Sequence, residues 1–534
     1  MKKRLAFVAV LSLAGSAALA GCGANDGGGA AGSAEPAGGE ETYVTVNGCE
    51  PENPLLPGLT NETCGGNMSG MLYGRLVAYD ETGKPQNELA ESITTDDSQT
   101  YTIKLKAGAK FTDGTEIKAA NFVNAWNAVV KEKQRQSFFF EDIEGYEEGK
   151  EMSGLQVVDD HTFTVKLSQP ESDWPLRLGY LAYAPLPDKA MGDGAKDFGE
   201  NPDSSGPYKL ASWNHKQDAT FVPNPDYDGP RKAQNNGVKF KFYATPDPAY
   251  NDLLSGNLDV LDNIPDTAFS TFEKELGDRA VNKPSAVFQS LAINMDDPHF
   301  GGEEGKLRRQ ALSMAINRDE VTQAIFKGTR TPAKDFTSPV IAGWSDKVPG
   351  NEVLNFDPAK AKELWAKADA MSKYDETFKV AYNSDGGHQA WVEALCNQIK
   401  NNLGIAAEGD PYPDFKSLRT KVSKHEIKTA YRTGWMADYP SIYNFLGPLY
   451  ATGAPSNDVQ YSNPEVDKLL KEGLSAKTTE EGIALFTKAQ TQLLSDLPVL
   501  PLWYSNMTGG SSDKVQNVKF GWDGGPLLYQ VTKK

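Results

Sequence analysis

Tyr101-Thr-Ile-Lys-Leu-Lys106 alternates apolar and polar side chains, the period of a strand with one buried face. Thr162-Phe-Thr-Val-Lys-Leu167 repeats the pattern. Tyr43, Val44 and Val46 predict a first strand, and others are expected near Phe221, over Phe378–Tyr382 and over Thr429–Tyr431. Elsewhere the apolar period lengthens. Phe122, Ala125, Trp126 and Val129 share one face of a helix over Ala119–Val130. Helices are also predicted over Met68–Leu76, Asp247–Leu254 (with Pro248 at an N1-like position), Leu307–Ile316, Ala359–Ala368 and Gln389–Leu403. Thr112-Asp-Gly-Thr115 reads as a turn. Strands and helices mix without an internal repeat, which places the chain in the α/β class. Its 534 residues exceed one ordinary core, so more than one lobe is expected.

The N-terminus breaks this pattern. Lys2, Lys3 and Arg4 precede an apolar run over Leu5–Leu13 and then small residues, the grammar of a secretory signal. The run is short for a membrane span. Leu19-Ala-Gly-Cys22 resembles the lipobox of bacterial lipoproteins. The resemblance implies removal of residues 1–21 and a diacylglyceryl group on Cys22. The alternative is an ordinary signal peptide with a chance cysteine. Gly, Ala, Ser and acidic residues dominate 23–41, a tether with a reach of about 25 Å. The folded part is then expected at the extracytoplasmic face of a cell membrane, held there by lipid alone.

Charge narrows the partners. A formal net charge of -18 offers no basic face for nucleic acid or anionic lipid. Of the four cysteines, Cys49 and Cys64 are close in sequence and bound for an oxidising compartment, so a disulfide between them is the simple reading. Cys396 lies in an apolar-periodic stretch and reads as a buried free thiol. No Gly-x-Ser-x-Gly elbow, His-Glu-x-x-His helix or Walker A loop is present. His161, His215, His299, His388 and His425 are scattered without ligand spacing. No catalytic residue, metal or cofactor is therefore assigned, and a hydrolase is the weak rival.

Four stretches carry a resemblance. The first runs from Leu89-Ala-Glu-Ser-Ile93 through Tyr101–Thr115 to Trp126. The second joins Ser205-Gly-Pro-Tyr-Lys-Leu210, Asn224-Pro-Asp-Tyr227 and Leu253-Leu-Ser-Gly-Asn-Leu-Asp-Val260. The third is Leu307–Arg318; the fourth joins Gly434-Trp-Met-Ala-Asp-Tyr-Pro440 and Tyr461–Asp467. In this order the chain resembles the family 5 bacterial extracellular solute-binding proteins, which include the oligopeptide- and dipeptide-binding components of ABC importers. The resemblance implies a two-lobed periplasmic-binding-protein-like fold with a hinge and an extra domain inserted in the first lobe. Lobe I would comprise 42–71, 185–287 and 505–534; the inserted domain 72–184; lobe II 288–504. It also implies a monomer that closes on a peptide and delivers it to the permease subunits.

By resemblance, Asp438 would meet a peptide's α-ammonium; its structural alternative is a cap before Pro440. Trp435 would line a side-chain pocket or pack in the core. Arg432 would reach a ligand carboxylate or form a structural ion pair. His388 would approach the far end of a longer ligand or cap a helix, and Phe415 would take the place of an aromatic pocket residue. Met436 stands where some relatives have a cysteine, and the partner region around Val287 lacks one too. Cys49 and Cys64 bracket a segment corresponding to a first-lobe binding loop. A nickel chelate or an oligosaccharide remains the rival solute, and peptide signalling a rival use of the same binding act.

Overall fold

Two long strands, Ala280–Ile293 and Val499–Ser511, lie side by side at the middle of an 11-stranded sheet. The computed structural model describes residues 42–454 and 456–534; the signal segment, Cys22 and the tether fall outside the described residues. From one edge the sheet runs Ala407–Tyr412, Phe378–Asn383, Ala430–Met436, Ala280–Ile293, Val499–Ser511, Val260–Leu261, Val44–Gly48, Val238–Phe242, Asp218–Pro223, Tyr208–Asn214. Arg330–Pro332 pairs with Val499–Ser511 off this path. Pairing is parallel between Phe378–Asn383 and both its neighbours, and antiparallel along the central pair.

The central pair is interrupted. Ala280–Pro284 pairs with Gly510–Asn506, and Phe288–Ala292 with Tyr504–Val499, with a register shift between Pro284 and Phe288. Proline has no N–H to give a ladder. In the gap other groups take over: Ser285 Oγ donates to Ser505 O at 2.9 Å and Ala286 N to Trp522 O at 3.3 Å.

The buried apolar residues divide on either side of this break. One core gathers Ala286, Phe288 and Leu291 with residues up to Tyr504, and Trp522 joins it. A second gathers residues from Val44 to Val260 with Val515, Leu528 and Val531. A third, small core lies around Leu253 and Phe272. Within the second core a four-stranded sheet, ordered Ala90–Thr94, Thr100–Leu105, Thr162–Lys166, Leu155–Asp159, carries the helix Ala119–Lys131. Phe122 of that helix stacks on Phe163 at 5.6 Å.

Several elements differ from their predicted bounds. The first helix is Thr63–Leu72, five residues earlier than expected at its start, because the Glu62 side chain accepts from Gly65 N at 2.8 Å. It stops at Leu72, where the next residues bond elsewhere: Tyr73 Oη to Leu55 O and Gly74 N to Ser205 Oγ. Pro246, not Pro248, opens the helix Pro246–Ser255, and Gly256 ends it at φ 73°. The strand expected over Thr429–Tyr431 continues to Met436. A disulfide joins Cys49 and Cys64, their Cα atoms 5.2 Å apart. Cys396 is buried and unbridged, and burial pushes its thiol up to about 12.

Arg318 locks the core that holds the fourth sequence stretch. It is buried, and its guanidinium donates to Pro501 O at 2.7 Å, Leu354 O at 2.7 Å, Ser313 O at 3.0 Å and Ser313 Oγ at 2.9 Å. One side chain thus ties a helix end to the strand Val499–Ser511. Arg318→Met would fill similar space but leave those carbonyls without their donor. Guanidinium titration followed by circular dichroism should show a loss of about 3 kcal/mol, the scale for breaking a buried charged network.

Candidate functional site

The strand Ala430–Met436 lies between Phe378–Asn383 and Ala280–Ile293, so its backbone is held on both sides. Its side chains alternate, which sends Tyr431 into the core and leaves Gly434 and Met436 exposed. Beyond Met436 the chain leaves the sheet, with Ala437 N donating to Ala286 O at 2.9 Å. A short turn follows, then the helix Ile442–Tyr450. Ser441 caps that helix, its Oγ accepting from Tyr443 N at 3.1 Å. Asp438 is therefore not the cap.

Asn444 organises the turn. This residue is 2% exposed, and its Oδ1 accepts from both Trp435 Nε1 at 3.1 Å and Asp438 N at 3.0 Å. Its Nδ2 donates to Asp438 Oδ2 at 3.4 Å. One amide thus orients the indole and the carboxylate together. The sequence reading missed Asn444; the available signal was a lone amide in the apolar run Ile442-Tyr-Asn-Phe-Leu446. Trp435 is half-buried and packs against the core, and it borders a cavity of about 30 Å³ with Ser290, Thr433 and Asp458.

Asp438 is half-buried and, among the described residues, forms no ion pair within 4.0 Å. Burial pushes its carboxyl up to about 6, against the opposing pull of the Asn444 amide and the charge of Arg177. Arg177 comes from the facing segment Trp174–Gly179 and is buried there, bonded to Asp142 and, at 2.6 Å, to Glu171. Its guanidinium lies over the Tyr439 ring at 5.1 Å. Two more contacts hold the residues just before this segment, one to the turn and one to the end of the helix Pro464–Leu474. Ser441 Oγ donates to Asp173 Oδ2 at 2.7 Å, and Ser172 N donates to Leu474 O at 2.6 Å.

The other candidates form a second group. Arg432 Nε donates to Asn383 Oδ1 at 2.9 Å, and its guanidinium lies 5.3 Å from the centre of the Phe415 ring. Phe415 opens the helix Phe415–Ser423, capped by Asp414, and is half exposed at 51%. Arg432, Asn383 and Phe415 meet outside the C-terminal ends of parallel strands, where α/β sheets place ligands. His388 stands beside them in sequence, before the helix Gln389–Leu403. Its Nδ1 accepts from Trp391 Nε1 at 3.1 Å, which ties the imidazole to its own helix. The strand thus carries a cation near one point and an anion six positions on.

Among the described residues no three His, Cys, Asp or Glu side chains gather as a metal seat, and no helix is long and apolar enough to cross a membrane. The arrangement is that of a receptor for a small charged molecule, with fixed charges and aromatic faces on rigid elements.

Comparison with known proteins identifies the fold and the family. The dipeptide-binding protein DppE of Bacillus subtilis is 25% identical over 95% of each chain. The periplasmic oligopeptide-binding protein OppA of Salmonella typhimurium is 26% identical over 87% of each. Among solved structures, HbpA2 from Haemophilus parasuis superposes with a TM-score of 0.80 at 19% identity, covering 92% of this chain and 100% of that one. DppA from Helicobacter pylori, in complex with the peptide STSA, gives 0.72 at 21% identity over 92% and 98%. These superpositions establish the two-lobed binding-protein class of fold. Residues 84–457 match the family described as bacterial extracellular solute-binding proteins, family 5 middle. The chain belongs to the family 5 bacterial extracellular solute-binding proteins, whose work is to bind a solute and not to transform it.

Proposed function

We propose that this chain captures peptides with a free amino terminus in a closing cleft and delivers them to the permease of an ABC importer. The observation that carries the reading is Asp438: a half-buried carboxylate on a rigid turn, without a cation among the described residues to pair with. A free peptide terminus is an ammonium that sheds water when a cleft closes, and it needs such a fixed anion. Arg432 supplies the opposite charge for a ligand carboxylate, and Trp435 and Phe415 supply aromatic faces. Relatives named for dipeptides, oligopeptides and glutathione bind molecules that all bear an amino group.

The lobes in this reading are 42–71, 185–287 and 505–534 for the first, with 72–184 inserted, and 288–504 for the second. The interrupted pairing between Pro284 and Phe288 supports a hinge there, because a broken ladder bends at low cost. Ligand held by both lobes favours the closed state by its greater affinity for that state. A lipid on Cys22 would keep the capture step next to the membrane.

Three outcomes follow. After unfolding and refolding to strip captured ligand, titration calorimetry should detect free peptides of two to six residues and lose them on N-acetylation. Asp438→Ala should weaken binding about 100-fold, within the range for truncating a desolvated charge pair. Silence toward every free peptide would redirect attention to metal chelates and sugars. Second, affinity should depend on pH. With the free carboxyl at about 6 and the ammonium-bound form lower, protons compete with ligand, so affinity is full above about 6 and falls up to tenfold per unit below. The unliganded protein behaves oppositely: a raised carboxyl contributes stability that is present below its unfolded value of about 4 and lost as pH rises through about 6. Third, Cys22→Ser should move the chain from the membrane fraction to the medium, read by fractionation and blotting.

A further inference from the structure

The wall facing Asp438 is built with unusual care for a surface it would otherwise merely touch. Tyr180 follows directly on the segment of Arg177, and its backbone N donates to Arg177 O at 2.8 Å. Its ring stacks on Phe139, with centroids 4.1 Å apart and planes 25° apart. Its hydroxyl accepts from Gln136 Nε2 at 3.2 Å. Gln136 is 1% exposed, and the same amide nitrogen donates to Thr60 O. Thr60 belongs to the loop closed by Cys49 and Cys64. A disulfide-bounded loop therefore fixes the amide, the amide fixes the phenol, and a stacked ring fixes its plane. Tyr180 nevertheless stays half-buried, and its phenol is raised by burial first and by the negative charge of Asp438 second.

Charge balance points the same way. Asp142, Glu171, Asp173 and Asp438 all act on Arg177 or are acted on by it, so four carboxyl groups surround one guanidinium. Burial raises Glu171, Asp173 and Asp438 against the opposing pull of the one Arg177 charge. Asp438 does not share a hydrogen bond with Tyr180 among the described residues, and a ligand group that bridged the two would have to donate to both. The phenol oxygen has a second lone pair free after the Gln136 bond. A primary ammonium has three donors and the missing charge.

We propose that Tyr180 is the second wall of the ammonium seat, its hydroxyl oxygen accepting from the ligand opposite Asp438, and that Gln136 is the positioning residue that aims it. This rests on the peptide reading above and sharpens it: the seat selects a primary ammonium with donors to spare, over a secondary amide of the same shape.

The test uses the purified full-length protein, refolded to remove ligand, and the tightest-binding peptide of the pool in free and N-acetylated forms. The quantity read is the ratio of the two affinities. Tyr180→Phe keeps the stack and removes only the oxygen; it should lower the ratio about tenfold, the worth of one hydrogen bond to a charged group, by weakening the free peptide alone. Gln136→Met should lower the ratio less, and should add nothing in the Tyr180→Phe background, whereas a merely structural role would weaken both peptides equally. A ratio unchanged within twofold in Tyr180→Phe, while Asp438→Ala still erases it, would overturn this inference and leave the peptide reading standing. A ratio near one in the unsubstituted protein would overturn both.

Discussion

The pairing of Ala280–Ile293 with Val499–Ser511 is the constraint on which the rest of the molecule depends. Nearly every other part of the large sheet is reached through it. At one end Val260–Leu261 hangs on Gly510 and Ser511, and through it come Val44–Gly48 and the strands beyond. At the other end Ala430–Met436 lies against Val287–Ile293, and through it come the parallel strands that end at Asn383 and Tyr412. A pair that joins two cores cannot be regular throughout if those cores are to move. The break between Pro284 and Phe288 reconciles the demands: hydrogen bonds are kept, but by Ser285, Ser505 and Trp522 rather than by a continuous ladder. Arg318 anchors one side of the break to its core through Pro501.

How much of this could be read beforehand depended on burial. Strands with one solvent face announced themselves: Thr100–Leu105 alternates exposed and buried residues along its whole length, and its period was legible. The central pair did not. Val499–Ser511 is buried nearly throughout, and Ala280–Ile293 is buried from Phe288 onward with little alternation, so neither shows a period of two. Helices with strong apolar faces, such as Gln389–Leu403, were placed to the residue. Pro464–Leu474 and Thr479–Asp496 were passed over although Asn463 and Thr478 cap them in the ordinary way.

The candidate site was legible by motif and not by physics. Asp438, Trp435 and Arg432 stood in a recognisable stretch, but nothing in that stretch says that Asn444 holds two of them. Nor does it announce Arg177, Tyr180 and Gln136, which lie some 260 to 300 positions away in sequence, on or beside a segment that meets the turn through Asp173 with Ser441 and Arg177 with Tyr439. Long-range contacts of that kind carry no periodic signal. Phe415 and Arg432, by contrast, come together because the helix after Ala407–Tyr412 begins at the sheet edge beside Asn383.

A binding protein must hold its recognition groups ready without satisfying them. Buried carboxylates are ordinarily paired, and Glu88 shows the ordinary solution here: Arg231 meets it at 2.6 Å and Tyr227 shares it. Asp438 departs from that solution. Its backbone is fixed by Asn444 and burial raises its carboxyl, so the unliganded protein holds a partly desolvated acid with no ion-pair partner among the described residues. On the proposed peptide reading, selectivity follows from that missing partner. A neutral molecule of equal shape would leave the carboxylate desolvated and unpaired on closure, and that loss, more than any attractive contact, is what excludes it. On the proposed reading the side-chain pockets can be permissive, because the turn discriminates between amine and amide.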